Sequence, residues 1–177
     1  MNDIILLPLA TAPENELLAL RSEVFADHEE STMLSEVIAA EARARPSSVS
    51  TEWPFPFGLA AFRHDTLVGW TEGYREGRGQ FNVLSSGVML SERRNGIYSL
   101  LVSGVLAHAA SQGYVKVNSR HSASNAAVLI AKLKLGFHVS GFEYSEFDGP
   151  TVQLTYLVND ARRRLYQSRA RALRPRG

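Results

Sequence analysis

One stretch of the chain concentrates residues that could do chemistry: Val88-Met89-Leu90-Ser91-Glu92-Arg93-Arg94-Asn95-Gly96-Ile97-Tyr98. It reads as a strand end, a polar loop with two adjacent arginines, a glycine and a helix start. The first amides of a helix have no partner inside it, and they carry the positive end of the helix dipole. They therefore suit a phosphate or diphosphate. Gly96 removes a side chain where an anion would approach the backbone, and Arg93 and Arg94 add charge in a form that matches phosphate oxygens. Close packing alone also favours a glycine at such a junction. No Gly-Lys-Ser/Thr follows, and one glycine stands where a dinucleotide loop needs three, which argues against NTPase and dehydrogenase chemistry.

The elements that must position this loop follow from periodicity. Ile4 to Leu9 reads as a strand, and Pro13 opens a helix carrying Leu17, Leu18, Arg21, Val24 and Phe25 at helical spacing. A second helix is expected over 31–45, ended by Pro46, and 47–56 is irregular. Strands follow over 57–63 and 66–74, joined as a hairpin at His64-Asp65, and then over 80–90. The helix 97–112 has Ile97, Leu100, Leu101, Val105 and Leu106 on one face and closes at Gly113. A short strand at 114–118, a helix over 125–135 stopped by Gly136, strands at 137–143 and 152–158, and a terminal helix over 160–171 complete the order. The step from 80–90 through a helix to 114–118 has βαβ form, so those two strands are expected to be parallel. The remainder is hairpins, which predicts an α/β fold with a mixed, mostly antiparallel sheet of six to seven strands and helices on both faces.

Composition narrows the class. The chain has 177 residues, 45% apolar and 21% charged, which fits one globular domain and excludes a wholly disordered chain. No apolar run approaches the roughly 20 residues of a membrane span. Met1-Asn2-Asp3 lacks the basic start of a signal peptide, so a cytoplasmic location is expected. There is no cysteine, which excludes disulfides, thiolate metal sites and a cysteine acyl-enzyme. His28, His64, His108 and His138 show no metal spacing, and no metal is expected. Residues 161–177 hold seven arginines and no acid; without them the net +1 becomes −6. The expected organisation is a domain over 1–160 and an Arg-rich helix or tail over 161–177, with nucleic acid an unlikely partner because the body is acidic.

Arg93-Arg94-Asn95-Gly96-Ile97-Tyr98 resembles the Arg/Gln-x-x-Gly-x-Gly/Ala signature of the GNAT superfamily, the acyl-CoA-dependent N-acetyltransferases. Asn125 to Phe137, NAAVLIAKLKLGF, is similar to that family's second signature, an asparagine opening a helix that ends in Leu-Gly-Phe. Two departures stand out. Tyr98 replaces a small residue, and Lys132 occupies the position, seven after the asparagine, where many members carry a tyrosine that protonates the leaving thiolate. Lysine's ordinary pKa of about 10.4 is close to tyrosine's, so Lys132 is a candidate proton donor. It is equally a candidate partner for a CoA phosphate, or an exposed helix lysine.

The resemblance implies direct transfer of an acetyl or short acyl group from acetyl-CoA to a primary amine, small-molecule or peptide. The two parallel strands would splay between the fourth and fifth, over 80–90 and 114–121, with the pantetheine arm filling the gap. Backbone groups of Val88, Met89 and Leu90 would pair with it. The loop Arg93, Arg94, Asn95, Gly96, Ile97 and Tyr98, together with Asn125 and Lys132, completes the expected cofactor-binding set. Candidates for removing the amine's proton are Glu72, which shares a strand face with Trp70 and Tyr74, and His121, whose ordinary pKa suits transfer near neutrality. Trp53, Trp70, Tyr74 and Ser85 are candidates for the acceptor side, though aromatic residues in strands are usually core. A homodimer is expected by analogy. A non-catalytic acyl-CoA sensor on the same fold is the alternative function.

Overall fold

The structure is a computed structural model that describes residues 3–26, 56–145 and 149–172. The helix expected over 31–45, His28 and Trp53 lie outside the described residues.

Seven strands form one sheet: β1 Ile4–Pro8, β2 Phe57–Arg63, β3 Thr66–Glu76, β4 Gln80–Val88, β5 Lys116–Ser122, β6 His138–Ser145 and β7 Gly149–Leu157. Their order is β1-β2-β3-β4-β5-β7-β6. Only the β4–β5 neighbours are parallel, because a helix joins them; every other described pair is antiparallel. Among the described residues four helices accompany the sheet: α1 Glu14–Val24, α2 Ile97–Ser111, α3 Ala126–Lys134 and α4 Asp160–Ala172. Gln112 closes α2, and Gly113 follows at φ +71°. The mixed α/β architecture is the one periodicity predicts.

Each sheet face buries its own cluster. Leu20 of α1 packs with Ala60, Leu67 and Trp70 on one face. Gly87 lies under the Trp70 ring, where a Cβ would come within 2.5 Å of ring carbons. The opposite face receives α2: Ala61, Val68, Val88, Ile97 and Leu101 form one cluster, and Phe81, Val102, Val105, Val117, Phe137 and Leu154 another. Leu129 of α3 packs against the second. Helices therefore cover both faces. α4 is anchored by Arg163, whose guanidinium stacks over Tyr156 at 4.6 Å and donates to the Leu157 carbonyl at 2.6 Å.

Two irregularities in β4 position the site. The first is a bulge: Glu72 pairs with Ser85 and Gly73 with Val83, so Leu84 is the extra residue. The second is the end of pairing with β5. Four residue pairs run from Gln80–Lys116 to Val83–Ser119, although β4 continues to Val88 and β5 to Ser122. The strands part at the bulge. β4 is also shorter than the expected 80–90: Met89 leaves it, and Leu90–Glu92 form a 3-10 turn.

Candidate active site

The upper end of the parted strands is the start of α2. Gly96 caps the helix at φ +80°, a left-handed conformation that glycine adopts without strain. Arg94 is also left-handed at φ +68°. No side chain caps the helix, so the amides of Ile97, Tyr98 and Ser99 are left to an external acceptor. A Cβ on Gly96 would meet nothing within 4 Å, so the space in front of those amides is open. Arg93 and Arg94 are exposed beside it. Arg63 braces the loop from β2, its Nε and Nη2 each donating to Glu92 at 2.9 Å, and Asn95 Nδ2 donates to Glu92 Oε2. A hollow of about 480 Å³ touches Gly96 and runs along Ser99 and Ser103 toward Ile4; it lies on the β1 side of α2, away from the gap.

Along the gap, backbone direction decides which groups are free. Met89 N–H donates to Val68 O at 2.9 Å, and Leu90 N–H donates to Glu23 Oε1 at 2.9 Å. Neither amide is available to a ligand arm, which corrects the expectation for Met89 and Leu90. The Met89–Val68 bond turns the backbone groups of Val88 and Ser86 toward β5, across the gap, where the Val88 carbonyl accepts from Arg93 Nε at 3.3 Å. The register of the β3–β4 pairing brings the Ser86 backbone to the gap.

On the α2–α3 side of the gap, β5 presents Val117, Ser119 and His121 in alternation. His121 stands two residues beyond the last β4–β5 pair, with Nε2 3.2 Å from Ser119 Oγ. Close to it is Lys132, 0% exposed and without a hydrogen-bond partner for Nζ, which lies 4.9 Å from the Phe137 ring. Burial pulls the Lys132 pKa down to about 7. Burial, with the charge of Lys132 adding to it, pulls His121 down to about 3. The expectation of a histidine titrating near neutrality does not hold, and imidazole that weakly basic is unsuited to deprotonating an ammonium. Lys132 is not an exposed helix lysine either; it is fully buried.

Tyr98 does not wall off the helix mouth. Its ring turns into the core, packed against both clusters on the α2 face. The buried hydroxyl lies near Ser86 without the geometry of a hydrogen bond, and burial pushes its pKa up to about 12. Asn125 is spent locally: its Oδ1 accepts from the Val128 amide and caps α3.

The other sheet face holds the remaining candidates. Glu72 is half-buried and accepts from Arg21 Nη2 of α1 at 2.5 Å. Both line a hollow of about 430 Å³ walled by Leu9, Leu17, Phe57 and the bulge residue Leu84. Trp70 is 0% exposed and is a core residue, correcting its expected acceptor role. Its Nε1 donates to Ser85 Oγ at 3.2 Å, which ties Ser85 to the core as well. Tyr74 OH accepts from Asn82 Nδ2 at 3.0 Å. Glu72 is thus separated by the sheet from His121 and Lys132, and the point where they can meet is the gap. The pairing of Arg21 with Glu72 carried no sequence signal, since it spans 51 residues.

Among the described residues no three His, Asp or Glu side chains converge as a metal site, and no helix is long and apolar enough to cross a membrane. No protein-family model matches the chain, and no curated protein matches it in sequence. Solved structures do. The chain is similar to the ribosomal-protein-S18-alanine N-acetyltransferase from Escherichia coli, with a TM-score of 0.65 at 13% identity, covering 88% of this chain and 94% of that one. It is similar to a putative acetyltransferase of the GNAT family from Desulfovibrio desulfuricans, with a TM-score of 0.65 at 13% identity, covering 88% and 99%. An aminoglycoside 6'-N-acetyltransferase complexed with coenzyme A matches with a TM-score of 0.61 at 16% identity, covering 88% and 97%. Seven strands in this order, parted between β4 and β5 below the start of α2, give the chain the GNAT acetyltransferase fold.

Proposed function

We propose that the chain is an acyl-CoA-dependent N-acyltransferase that moves an acetyl or short acyl group directly to a primary amine. The observation that carries this is the gap: β4 and β5 part after Val83 and Ser119, with uncapped helix amides at one end. Acyl-CoA has a diphosphate, an amide-bearing arm and a thioester. The α2 amides with Arg93 and Arg94 would take the diphosphate. The backbone of Ser86 and Val88 would pair with the arm. Next to the Leu84 bulge, where the backbone is released from the ladder, an amide would hold the oxygen that gains charge as the amine attacks.

The acceptor would enter from the α1 face through the hollow that reaches Leu84. Its lining is apolar with Glu72, Glu14 and Arg21, one more acid than base, which favours a cationic amine. Glu72 would hold the ammonium and take its proton. The amine nitrogen then bonds to the carbonyl carbon and gives up its second proton to water, the C–S bond breaks, and Lys132 on the opposite face supplies a proton to the departing thiolate. A donor with a pKa of about 7 is matched to that task at neutral pH. Holding both reactants in line supplies much of the rate.

Two measurements test the reading: the thermal shift with acetyl-CoA, and thiol release against a panel of small amines and peptides. A shift with release for at least one amine supports it. A shift without release across the panel points to an acyl-CoA sensor, and the absence of any shift overturns both.

A further inference from the structure

Lys132 is a buried nucleophile as well as a proton source. Its side chain is 0% exposed, and Nζ has neither a hydrogen-bond acceptor nor, among the described ion pairs, a carboxylate. Buried polar groups are nearly always satisfied, so an orphaned amine points to a missing partner. The amine lies close enough to His121 for its charge to act on the imidazole, and His121 sits on the part of β5 that has left β4, which puts the buried amine behind the parted strand. The aromatic ring of Phe137 and the core around it keep water away. With a pKa pulled down to about 7, a substantial fraction of this lysine is neutral near pH 7, and desolvation is a recognised way to activate the amine as a nucleophile. Titratable neighbours do not oppose this: His121 is itself held neutral.

We propose that Lys132 is an internal acyl acceptor: when acyl-CoA occupies the gap and no amine substrate is present, Nζ takes the acyl group and becomes an Nε-acyl-lysine. The inference rests on the acyl-CoA reading above. The Nζ lone pair forms the N–C bond, the C–S bond breaks with its electron pair going to sulfur, Nζ gives up one proton, and the thiolate gains one. The products are an amide on Lys132 and free CoA thiol, with no further reactant. The acylated side chain is uncharged, carries no titratable proton and lengthens into the gap. It therefore switches off proton donation and competes with the arm of the next acyl-CoA. Acceptor amine would protect the enzyme by consuming the acyl group first.

The chain contains three lysines, which makes the test clean. Lys134 is exposed and Lys116 half-buried, while Lys132 is the most buried of the three. The full chain is incubated with acetyl-CoA without any amine, and modified peptides are mapped over time; a parallel sample receives acetic anhydride. Acetyl-CoA should place a single acetyl on Lys132 ahead of Lys134 and Lys116, whereas acetic anhydride should reach Lys134 first. Lys132→Arg and Lys132→Met should each lose that adduct while keeping the acetyl-CoA thermal shift. If acetyl-CoA gives a thermal shift and amine turnover but Lys132 stays unmodified, or if both reagents give the same order, the proposal falls and the acyltransferase reading stands. If acetyl-CoA gives no thermal shift, both fall.

Discussion

Lys132 of α3 lies close enough to His121, on the parted end of β5, for its charge to add to burial in holding the imidazole at a pKa of about 3. The pair is chemically asymmetric. The histidine is neutral across the working range, while the lysine, at about 7, changes charge within it. Glu72 and Arg21 stand on the other side of the sheet. In the proposed mechanism thiolate protonation belongs to one face and amine handling to the other, with the gap between β4 and β5 as the passage.

Replacing Lys132 with Met should raise stability and lower turnover. A buried amine without a partner costs roughly 1–3 kcal/mol, and methionine fills similar volume without a polar atom. Each kcal/mol is worth about 2–4 °C in a domain of this size. The expected result is a higher melting temperature together with reduced thiol release at saturating acetyl-CoA. A lower melting temperature would contradict the burial of an unpaired amine.

Stability should rise with pH above neutrality. The folded Lys132 pKa of about 7 lies well below its unfolded value of 10.5, so between the two the unfolded chain holds a proton that the folded chain does not. The full effect is on the order of 5 kcal/mol at most. His121 acts in the acid range. With a folded pKa near 3 against 6.5 unfolded, stability should fall as pH drops from 6.5 toward 3. Tyr98, held up at about 12, removes stability only above pH 10. Urea midpoints between pH 7 and 9.5 should increase for the native chain and stay flatter for Lys132→Met.

Gly96→Glu should abolish the acetyl-CoA thermal shift and leave the fold intact. A side chain at φ +80° costs about 1–2 kcal/mol, but its Cβ meets nothing within 4 Å. The carboxylate would stand where an anion is expected. Gly96→Asn, a residue that tolerates this conformation, should keep a measurable shift. Equal shifts in the native chain and the glutamate variant would place the diphosphate elsewhere.

Glu72→Gln should reduce turnover while leaving the acetyl-CoA thermal shift unchanged, since Glu72 lies on the acceptor side of the gap. The loss should shrink as pH is raised, because amines then arrive already deprotonated. A Glu72→Gln enzyme with native turnover at every pH would remove the carboxylate from the mechanism.

What the sequence determined by itself was local. Apolar spacing fixes α2 and its start at Ile97. Asn125 announces the start of α3, Gly96 the junction before α2, and the βαβ step the parallel pairing of β4 with β5. These follow from contacts a few residues apart, so they are written in the order of residue types. The tertiary structure decided what depends on residues distant in the chain. Trp70 and Glu72 lie on one strand face, yet one is sealed beneath α1 and the other opens to a hollow. The amides of Met89 and Leu90 are consumed by Val68 and Glu23. Lys132 looks like any helix lysine until Phe137 and the core close over it, and His121 looks like an ordinary base until the same burial removes its proton affinity. Desolvation is set by everything packed around a group, and no local pattern of residues records it.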